Sequence, residues 1–457
     1  MKKMGTRRMA VWGLNLIVFF FCSSLALAQD QDALPPPGKP LTLDQCVAIA
    51  VKYHPNLAAS QATVEAQKAL VEQALAAYYP QLNYNNSYTA FTTNFSASPI
   101  SNPAGGAIGA PSQGPNRYRY TYTDVFSTGP TASLTIWDFG RTPNNVKINR
   151  ENVKASQENF ISTKQTVILN VKTAFYGVLQ AQYLIDVAQD TVNQTKQHLE
   201  QAQGYYQAGT RPKIDVTTAE VNQANAELAL IQTKNNFAVS RATLNNAMGL
   251  RQDLSFAIEK EVEVKPKVIP LAEILSTAYE RRPEILSLKA QERSQEASIK
   301  LAQANYYPIL SGNASYLLRS QGFDQTFYWD SFFSATLSIP LFSGFLTPNQ
   351  VAQQRANLRN LQAQDETTRQ NIRLEAETAY LTLNLAIQQI EVTRKAVEQA
   401  KENQDLANGR YQVGVGSPLE ITDAEVSLAN ARANYIQAIY NLKTAEARIE
   451  KAMGIIR

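Results

Sequence analysis

Two acidic side chains near the C-terminal end of the sequence, Glu420 and Asp423, form the pair whose spacing most clearly suggests a site. Because they are three residues apart at the start of a predicted helix, both carboxylates lie on one face of that helix. Acids in the first turn of a helix are also stabilised by the helix dipole. The residues alone leave both interpretations open, a polar site or an ordinary helix start.

Residues that could support enzymatic chemistry are scarce. The sequence has two histidines, His54 and His198, and no GxSxG, HExxH, P-loop or CxxC motif. We interpret His54 as the end of a short helix and His198 as a surface or interhelical residue. Beyond the first 28 residues Cys46 is the only cysteine, which excludes an intrachain disulfide and favours a buried apolar role. We therefore expect no enzyme activity, no cofactor and no metal site.

The first 28 residues have the pattern of a signal peptide. A basic start precedes an apolar run at 11–21 and a small-x-small cleavage site at 26–28. Cys22 follows three phenylalanines, which are too bulky for the residue before a lipidated cysteine, so lipidation is not expected. The sequence therefore predicts export.

Charge and hydropathy exclude two further classes of protein, nucleic-acid-binding proteins and proteins with a transmembrane helix. The chain has 43 Lys and Arg against 39 Asp and Glu, and four of the basic residues lie in the predicted leader. A neutral mature chain lacks the broad basic field that nucleic-acid binding requires. No run of about 20 apolar residues follows the leader, so no transmembrane helix is predicted, although an exported chain can still enter a membrane as strands.

The chain is a duplicated unit. The segment YQAGTRPKIDVTTAE at 206–220 returns as YQVGVGSPLEITDAE at 411–425, and the AMG at 247–249 returns at 452–454. The motif AYYP at 77–80 matches NYYP at 305–308, with a larger offset. The offset changes across a stretch rich in Gly, Pro and Ser at 96–116, which we expect to be an outward-facing loop. A repeat this long indicates a duplicated half of one domain.

Hydrophobic periodicity predicts the same elements in both units. The first unit, 29–250, has predicted helices 41–53 and 56–79, strands at about 81–95 and 117–137, a long helix 144–207 and a helix 213–248. After a linker at 251–270, the second unit, 271–457, has predicted helices 271–281 and 284–306, strands at about 309–320 and 327–342, a long helix 349–412 and a helix 419–453. A soluble coiled coil would also suit the proline-free long helices.

The predicted strands favour a membrane. Phe333, Ala335 and Leu337 alternate with polar residues, so one strand face is apolar, and aromatic residues concentrate near the strand ends. A soluble sheet covering helices is the alternative, but the helices are too long to fold over it. Four strands cannot close a barrel alone. Cyclic symmetry offers eight strands from two chains or twelve from three, and only twelve leave a useful lumen.

The sequence resembles the TolC family of outer-membrane efflux proteins over residues 41–454. The resemblance depends on the order of LTLDQCVAIAVKYHPNL, the paired YYP motifs, IWDFGRTPN, PLFSGFLTPN, the two Gly-turns and the terminal AMG. It implies a mainly α fold with transmembrane β structure, in which a homotrimer shares a twelve-stranded β-barrel in the Gram-negative outer membrane, continued by a long periplasmic α-helical barrel. It also implies docking, through a periplasmic adaptor, on an inner-membrane pump of the RND, ABC or MFS type.

The resemblance further implies roles for the two Gly-turns at the periplasmic tip. It assigns adaptor docking to Gly209, Thr210, Gly414, Val415 and Gly416, and an acidic ring at the entrance to Glu420 and Asp423. Where the family has a latching basic residue after the second turn, this chain has Gly416. We therefore expect a latch from Arg211 or Lys213 to Asp215, Glu420 or Tyr411.

These observations predict a passive exit duct for drug efflux or type I protein secretion. A stand-alone porin is a second hypothesis, and it would require many more strands per chain. A periplasmic structural coiled coil is a third, and it would have no use for the aromatic-rich hairpins.

Overall fold

The structure is a computed structural model that describes residues 40–93, 121–250, 258, 269–320 and 326–456. The predicted signal peptide at 1–28, the predicted loop at 96–116 and most of the predicted linker at 251–270 lie outside the described residues.

The first repeat begins with two helices that are followed by two strands and two longer helices. In chain order these elements are α1 Leu43–Tyr53, α2 Pro55–Leu75, β1 Gln81–Thr93, β2 Thr121–Trp137, α3 Arg141–Gln207 and α4 Lys213–Ala247. The second repeat has the same order, with α5 Leu271–Arg281, α6 Pro283–Ala304, β3 Ile309–Ser320, β4 Tyr328–Ser338, α7 Leu346–Gln412 and α8 Pro418–Ala452.

Several predicted boundaries differ from the structure, mostly at prolines. Both long helices begin three residues earlier than predicted, because Pro143 and Pro348 lie in the first turn, where a missing N–H is tolerated. Strand β4 ends at Ser338 rather than 342, since Pro340 cannot donate to a strand ladder. Helix α2 ends at Leu75 and continues as a 3₁₀ turn at Ala76–Tyr78.

The turn before α3 explains why the helix starts directly after a strand. The Asp138 carboxylate accepts hydrogen bonds from the backbone N–H groups of Gly140 and Thr142, at 3.1 and 2.6 Å. These are among the N–H groups that a helix start leaves without partners. Arg141 donates to the carbonyl of Ala304 at 3.3 Å, which ties this turn to the end of α6. Asp138 and Arg141 are therefore structural residues.

All four described strands form one antiparallel sheet in the order β1-β2-β3-β4. Its central pair, β2 and β3, joins the two repeats. The predicted alternation is confirmed, because one row across the sheet is apolar, consisting of Leu82, Ala132, Ala314 and Phe333. The adjacent row, on the other face, is polar and consists of Gln81, Ser133, Asn313 and Ser334. Within the described part of the chain, the outer strands β1 and β4 each pair on one side only.

The helices extend from the sheet, and α3 and α7 each contain 67 residues, which at 1.5 Å per residue is roughly 100 Å. Two large apolar clusters, one mainly in each repeat, hold them together at mid-length. The first includes Ile49, Val171, Val178, Leu244 and Met248, and the second includes Ile274, Ala376, Leu383, Leu442 and Ile449. Cys46 is buried in the first cluster, where burial raises the pKa of its thiol to about 12. No helix among the described residues is both long and apolar enough to cross a bilayer.

The two repeats use different residues at one equivalent position beside these clusters. In the first, the Nδ1 atom of His54 accepts a hydrogen bond from the N–H of Asn56 at 3.2 Å and so caps α2. In the second, Arg282 is 3% exposed and donates to the carbonyl of Ala452 at 2.9 Å. Because Nδ1 of His54 accepts the hydrogen bond from Asn56, this cap requires a neutral imidazole. Burial lowers the pKa of His54, which favours the neutral form.

This cap predicts a pH effect on stability. The pKa of His54 is lower in the folded chain than in the unfolded one. The stability that the neutral cap contributes is therefore fully present above the unfolded pKa, and it is lost as the pH falls through the folded pKa. His54→Asn keeps a side chain that can cap the helix but does not titrate. When the pH is lowered from 7.5 to 5, we expect its thermal midpoint to fall by about 1 to 3 °C less than that of the parent chain. Circular dichroism melts measure this difference, and equal shifts in the two proteins would contradict it.

Candidate functional site

Two helical hairpins, α3 with α4 and α7 with α8, end in turns at 208–212 and 413–417. Both turns have the same left-handed glycine, Gly209 with φ +71° and Gly414 with φ +84°. In each, the N–H of the glycine donates to the carbonyl three residues before it, at 3.0 Å. The next N–H, of Thr210 or Val415, donates to the carbonyl five residues before it, also at 3.0 Å. Glycine is required because a β-carbon disfavours this conformation.

Gly416 in the second turn is required for a different reason. A β-carbon at this position would lie 2.8 Å from the backbone nitrogen of Tyr411 and 3.0 Å from the carbonyl carbon of Arg410. The N–H of Gly416 donates to the carbonyl of Arg410 at 2.9 Å, which holds the chain close. This turn therefore has no room for the basic side chain that the family pattern places here.

The basic side chain of the first turn reaches across to the second hairpin. Arg211 donates from Nη2 to the carbonyl of Gly416 at 3.2 Å, and its Cζ lies 5.2 Å from the ring centroid of Tyr411. On its own hairpin, Nη1 lies 3.9 Å from the Oδ2 atom of Asp215. A guanidinium can make all three contacts because it is planar and cationic. The structure thus brings Arg211, Asp215, Tyr411 and Gly416 together.

Tyr411 is the apolar centre of this contact. It is 4% exposed and packs edge-on against Tyr205, with ring centroids 5.9 Å apart. Ala407, Ile421 and Ala424 complete the small cluster around it. Burial raises the pKa of the Tyr411 hydroxyl, because a phenolate would be desolvated here.

The remaining predicted residues lie outside this contact. Lys213 is exposed. Asp423 is also exposed, one turn into α8. Glu420 faces Arg410 instead, with Nε 3.2 Å from Oε2, and its N–H donates to the Ser417 side chain at 3.2 Å.

Sequence reasoning missed Arg410. Its position in the last turn of α7, where the helix dipole favours a cation, is the signal that could have identified it.

Two apolar stripes on the outer helices are left exposed by the described part of the chain. Below the sheet, α3 packs on α4 and α8, and α8 packs on α7, which places α4 and α7 at the two edges of a helical layer. Each of these two helices carries apolar side chains that are between 54% and 69% exposed. They are Ile214, Val221, Leu228 and Ile231 on α4, and Leu381, Leu385, Val392 and Leu406 on α7. Most neighbours within these two sets are three, four or seven residues apart, which is typical of coiled-coil seams.

The sequence matches the family described as outer membrane efflux protein over residues 48–250 and 274–455. Among curated proteins, it is 24% identical over 252 residues to the outer membrane protein TolC of Escherichia coli, covering 52% of this chain and 48% of that protein. It is 26% identical over 262 residues to SrpC of Pseudomonas putida, a solvent efflux pump outer membrane protein, covering 54% and 53%. The matched part spans about half the length of these relatives.

Solved structures share the fold over most of the chain. The CmeC outer membrane channel of Campylobacter jejuni superposes with a TM-score of 0.75 at 17% identity, covering 90% of this chain and 85% of that one. A membrane protein from Pseudomonas aeruginosa gives 0.76 at 18% identity, covering 90% of both chains.

The contact between the turns predicts a selective effect on local opening. Removing the guanidinium in Arg211→Ala leaves the carbonyl of Gly416 without this donor and uncovers the Tyr411 ring. We expect amide hydrogen exchange of 413–417 to become roughly 3- to 10-fold faster, with no change in α3 at mid-length. Lys213→Ala is the matched control, because it removes an exposed cation from the same region. Equal acceleration in both variants would show that the contact has no specific role.

Proposed function

The chain belongs to the outer membrane efflux protein family, and from this membership we propose that three copies form a passive exit duct through the outer membrane and periplasm. The family match confirms the resemblance to the TolC family that the sequence motifs indicated. The predicted fold class is confirmed as well, a duplicated, mainly α fold with a four-stranded transmembrane contribution. The protein is an outer-membrane protein that extends into the periplasm.

The observation that carries the proposal is a four-stranded sheet with one apolar face and two unpaired outer strands. In lipid, each backbone group without a partner costs several kcal/mol, so β1 and β4 must pair with other copies. Three copies give twelve strands, a number that leaves a lumen. The stripes on α4 and α7 would close the helical part in the same way, each α4 against the α7 of the next copy.

The polar face of the sheet suits a duct of low selectivity. Its rows consist largely of Ser, Thr and Asn, and the oppositely charged Arg319 and Asp330 face each other at 3.4 Å. In transmembrane barrels the polar face lines the lumen. A polar wall whose charges at Arg319 and Asp330 balance offers hydrogen bonds without strong preference for one kind of solute, so the choice of cargo would lie with the pump.

The partners follow from the same proposal. We assign to the chain a periplasmic adaptor, docking at Gly209, Thr210, Gly414, Val415 and Gly416, and an inner-membrane pump of the RND, ABC or MFS type. The name of SrpC, a solvent efflux pump component, favours small-molecule efflux, with type I protein secretion as the second candidate. The entrance would be held by Arg211, Tyr411 and Asp215 and lined by the acids Glu420 and Asp423, with Lys213 at its exposed rim.

Planar bilayers test the duct. We expect the purified protein to form narrow ion-conducting channels, and Arg211→Ala to raise single-channel conductance several-fold because the turns separate more easily. Lys213→Ala should conduct like the parent protein. Unchanged conductance in Arg211→Ala would remove Arg211 from the gate, and the absence of any channel would contradict the duct itself.

The seam between copies gives a separate prediction. Leu228→Glu would place a carboxylate in the proposed contact with α7 of the next copy, at a cost of about 1 to 3 kcal/mol per interface. We expect a smaller fraction of trimer in detergent, measured by mass photometry, while Leu228→Met keeps the parent value. A trimer fraction unaffected by the carboxylate would place the seam elsewhere.

A further inference from the structure

Helices α3 and α7 are equivalent in the duplicated chain, but α3 is covered on two sides of the helical layer and α7 on one. Helix α3 packs on α2 and α4 toward one edge and on α6 and α8 toward the other. Within the layer, α7 packs on α6 and α8. In the described part of the chain, the opposite side of α7 and the outer side of α4 carry the two exposed stripes. The contact of α3 with α8 is thus the internal counterpart of a contact between these stripes.

Polar contacts, here called rungs, join α3 to the second repeat within the chain. Asp190 of α3 lies 3.4 Å from Arg432 of α8. Nearer the sheet, Gln165 of α3 donates a hydrogen bond to the carbonyl of Gly454, just after the end of α8, at 2.9 Å. A shift by one helical turn, about 5.4 Å, would separate both pairs. The two rungs therefore define the register of α3 against α8.

The ion pair has an oppositely charged counterpart on the two exposed sides. The repeat offset of 205 residues relates Asp190 of α3 to Lys395 of α7. It relates Arg432 of α8 to Glu227 of α4. Both counterparts are exposed, and Glu227 accepts a hydrogen bond from Gln223 on its own helix at 2.9 Å. Because the charges are exchanged between the helices, a contact in the same register would again be attractive.

The hydrogen-bonded rung has a counterpart with the same residue types. Gln165 corresponds to Gln370 of α7, and Gly454 corresponds to Gly249, just after α4. Both glycines are left-handed, with φ +71° and +73°, so the two helices end in the same kind of turn. Gln370 is exposed and donates to Glu366 on its own helix at 3.4 Å. A bond of this length is weak, so Gln370 can exchange it for a backbone carbonyl of another copy.

Apolar side chains at equivalent positions favour the same register. Tyr176 of α3 and Ile436 of α8 both pack against the first apolar cluster. Their counterparts, Leu381 of α7 and Ile231 of α4, are also apolar, and each is 65% exposed. A second copy in this register would cover both side chains, as the contact within the chain covers their counterparts.

One rung within the chain has no ion-paired counterpart. Lys172 lies 2.6 Å from Glu450, but their counterparts are Glu377 and Asn245. Glu377 pairs instead with Arg373 on its own helix, at 2.8 Å. A contact between copies in this register would therefore have fewer ion pairs than the contact within the chain.

We propose that α7 of one copy binds α4 of the next copy in the register that α3 and α8 have within the chain. Lys395 then pairs with Glu227 of the next copy, and Gln370 donates to the carbonyl of Gly249 of the next copy. This interface rests on the proposed function, which supplies the ring of copies, and it adds the register and the polar contacts of the seam. Each copy thus repeats between molecules the packing that its two repeats already have.

Cross-linking of the purified full-length protein in detergent tests the register. Glu227→Cys is combined with Lys395→Cys, and a thiol cross-linker with a short spacer is added before a denaturing gel. Because α4 and α7 lie at opposite edges of the layer, product from this pair joins two copies. Glu227→Cys with Gln388→Cys, and with Glu402→Cys, are the matched controls, since both partner positions are exposed and one heptad from Lys395.

We expect about five-fold more cross-linked dimer and trimer from the Lys395 pair than from either control, because a heptad moves the thiol by roughly 10 Å along the helix. The parent chain should give no product, since Cys46 is buried. A parent protein that stays monomeric in detergent would overturn the duct and the register together. A trimer in which a shifted pair gives the most product, or in which no pair reacts, would overturn the register and leave the duct in place.

Discussion

The constraint on which the assembly depends is the hydrogen-bonding requirement of two strand edges. Among the described residues, strand β1 pairs only with β2 and β4 only with β3, so this part of each copy presents two rows of backbone groups without strand partners. Water can satisfy such groups in a soluble protein, but hydrocarbon cannot. The apolar row of Leu82, Ala132, Ala314 and Phe333 requires the lipid, while the open edges forbid a single chain from remaining there alone. Closure by further copies resolves this conflict.

In the helical part, exposed apolar side chains rather than backbone groups are left without partners by the described part of the chain. Helices of 67 residues extend far beyond the two large apolar clusters at mid-length, and the cluster around Tyr411 near the turns is much smaller. The layer is held internally by alanine-rich contacts and by polar rungs such as Lys172 with Glu450. Its outer stripes on α4 and α7 are exposed in the single chain, and in the proposed assembly another copy covers them. One cyclic assembly therefore satisfies both strand edges and helix stripes.

Features with a strict period were predictable from the sequence, and features that depend on a single close approach were not. Period-two alternation gave the correct faces of all four described strands, and the lack of internal proline gave both long helices. Pro143 and Pro348 were placed before the helices, because a proline signals a break unless its position in the first turn is known. The packing of Gly416 against Tyr411 depends on a turn geometry that spacing does not encode. Arg410 and the pair of His198 with Glu425 were missed because partners ten or more than two hundred residues apart leave no local pattern.

The duplication also explains why the contact at the tips is asymmetric. Both turns have the same left-handed glycine, yet the first carries Arg211 and the second carries Gly416 at the corresponding position. A guanidinium in the first turn finds its acceptor in the backbone of the second, and a side chain in the second would collide with Arg410 and Tyr411. One hairpin thus supplies the donor and the other supplies the carbonyl and the aromatic face. Two identical turns would supply two donors and no close backbone approach, so divergence between the repeats at this position is what allows this contact between the turns.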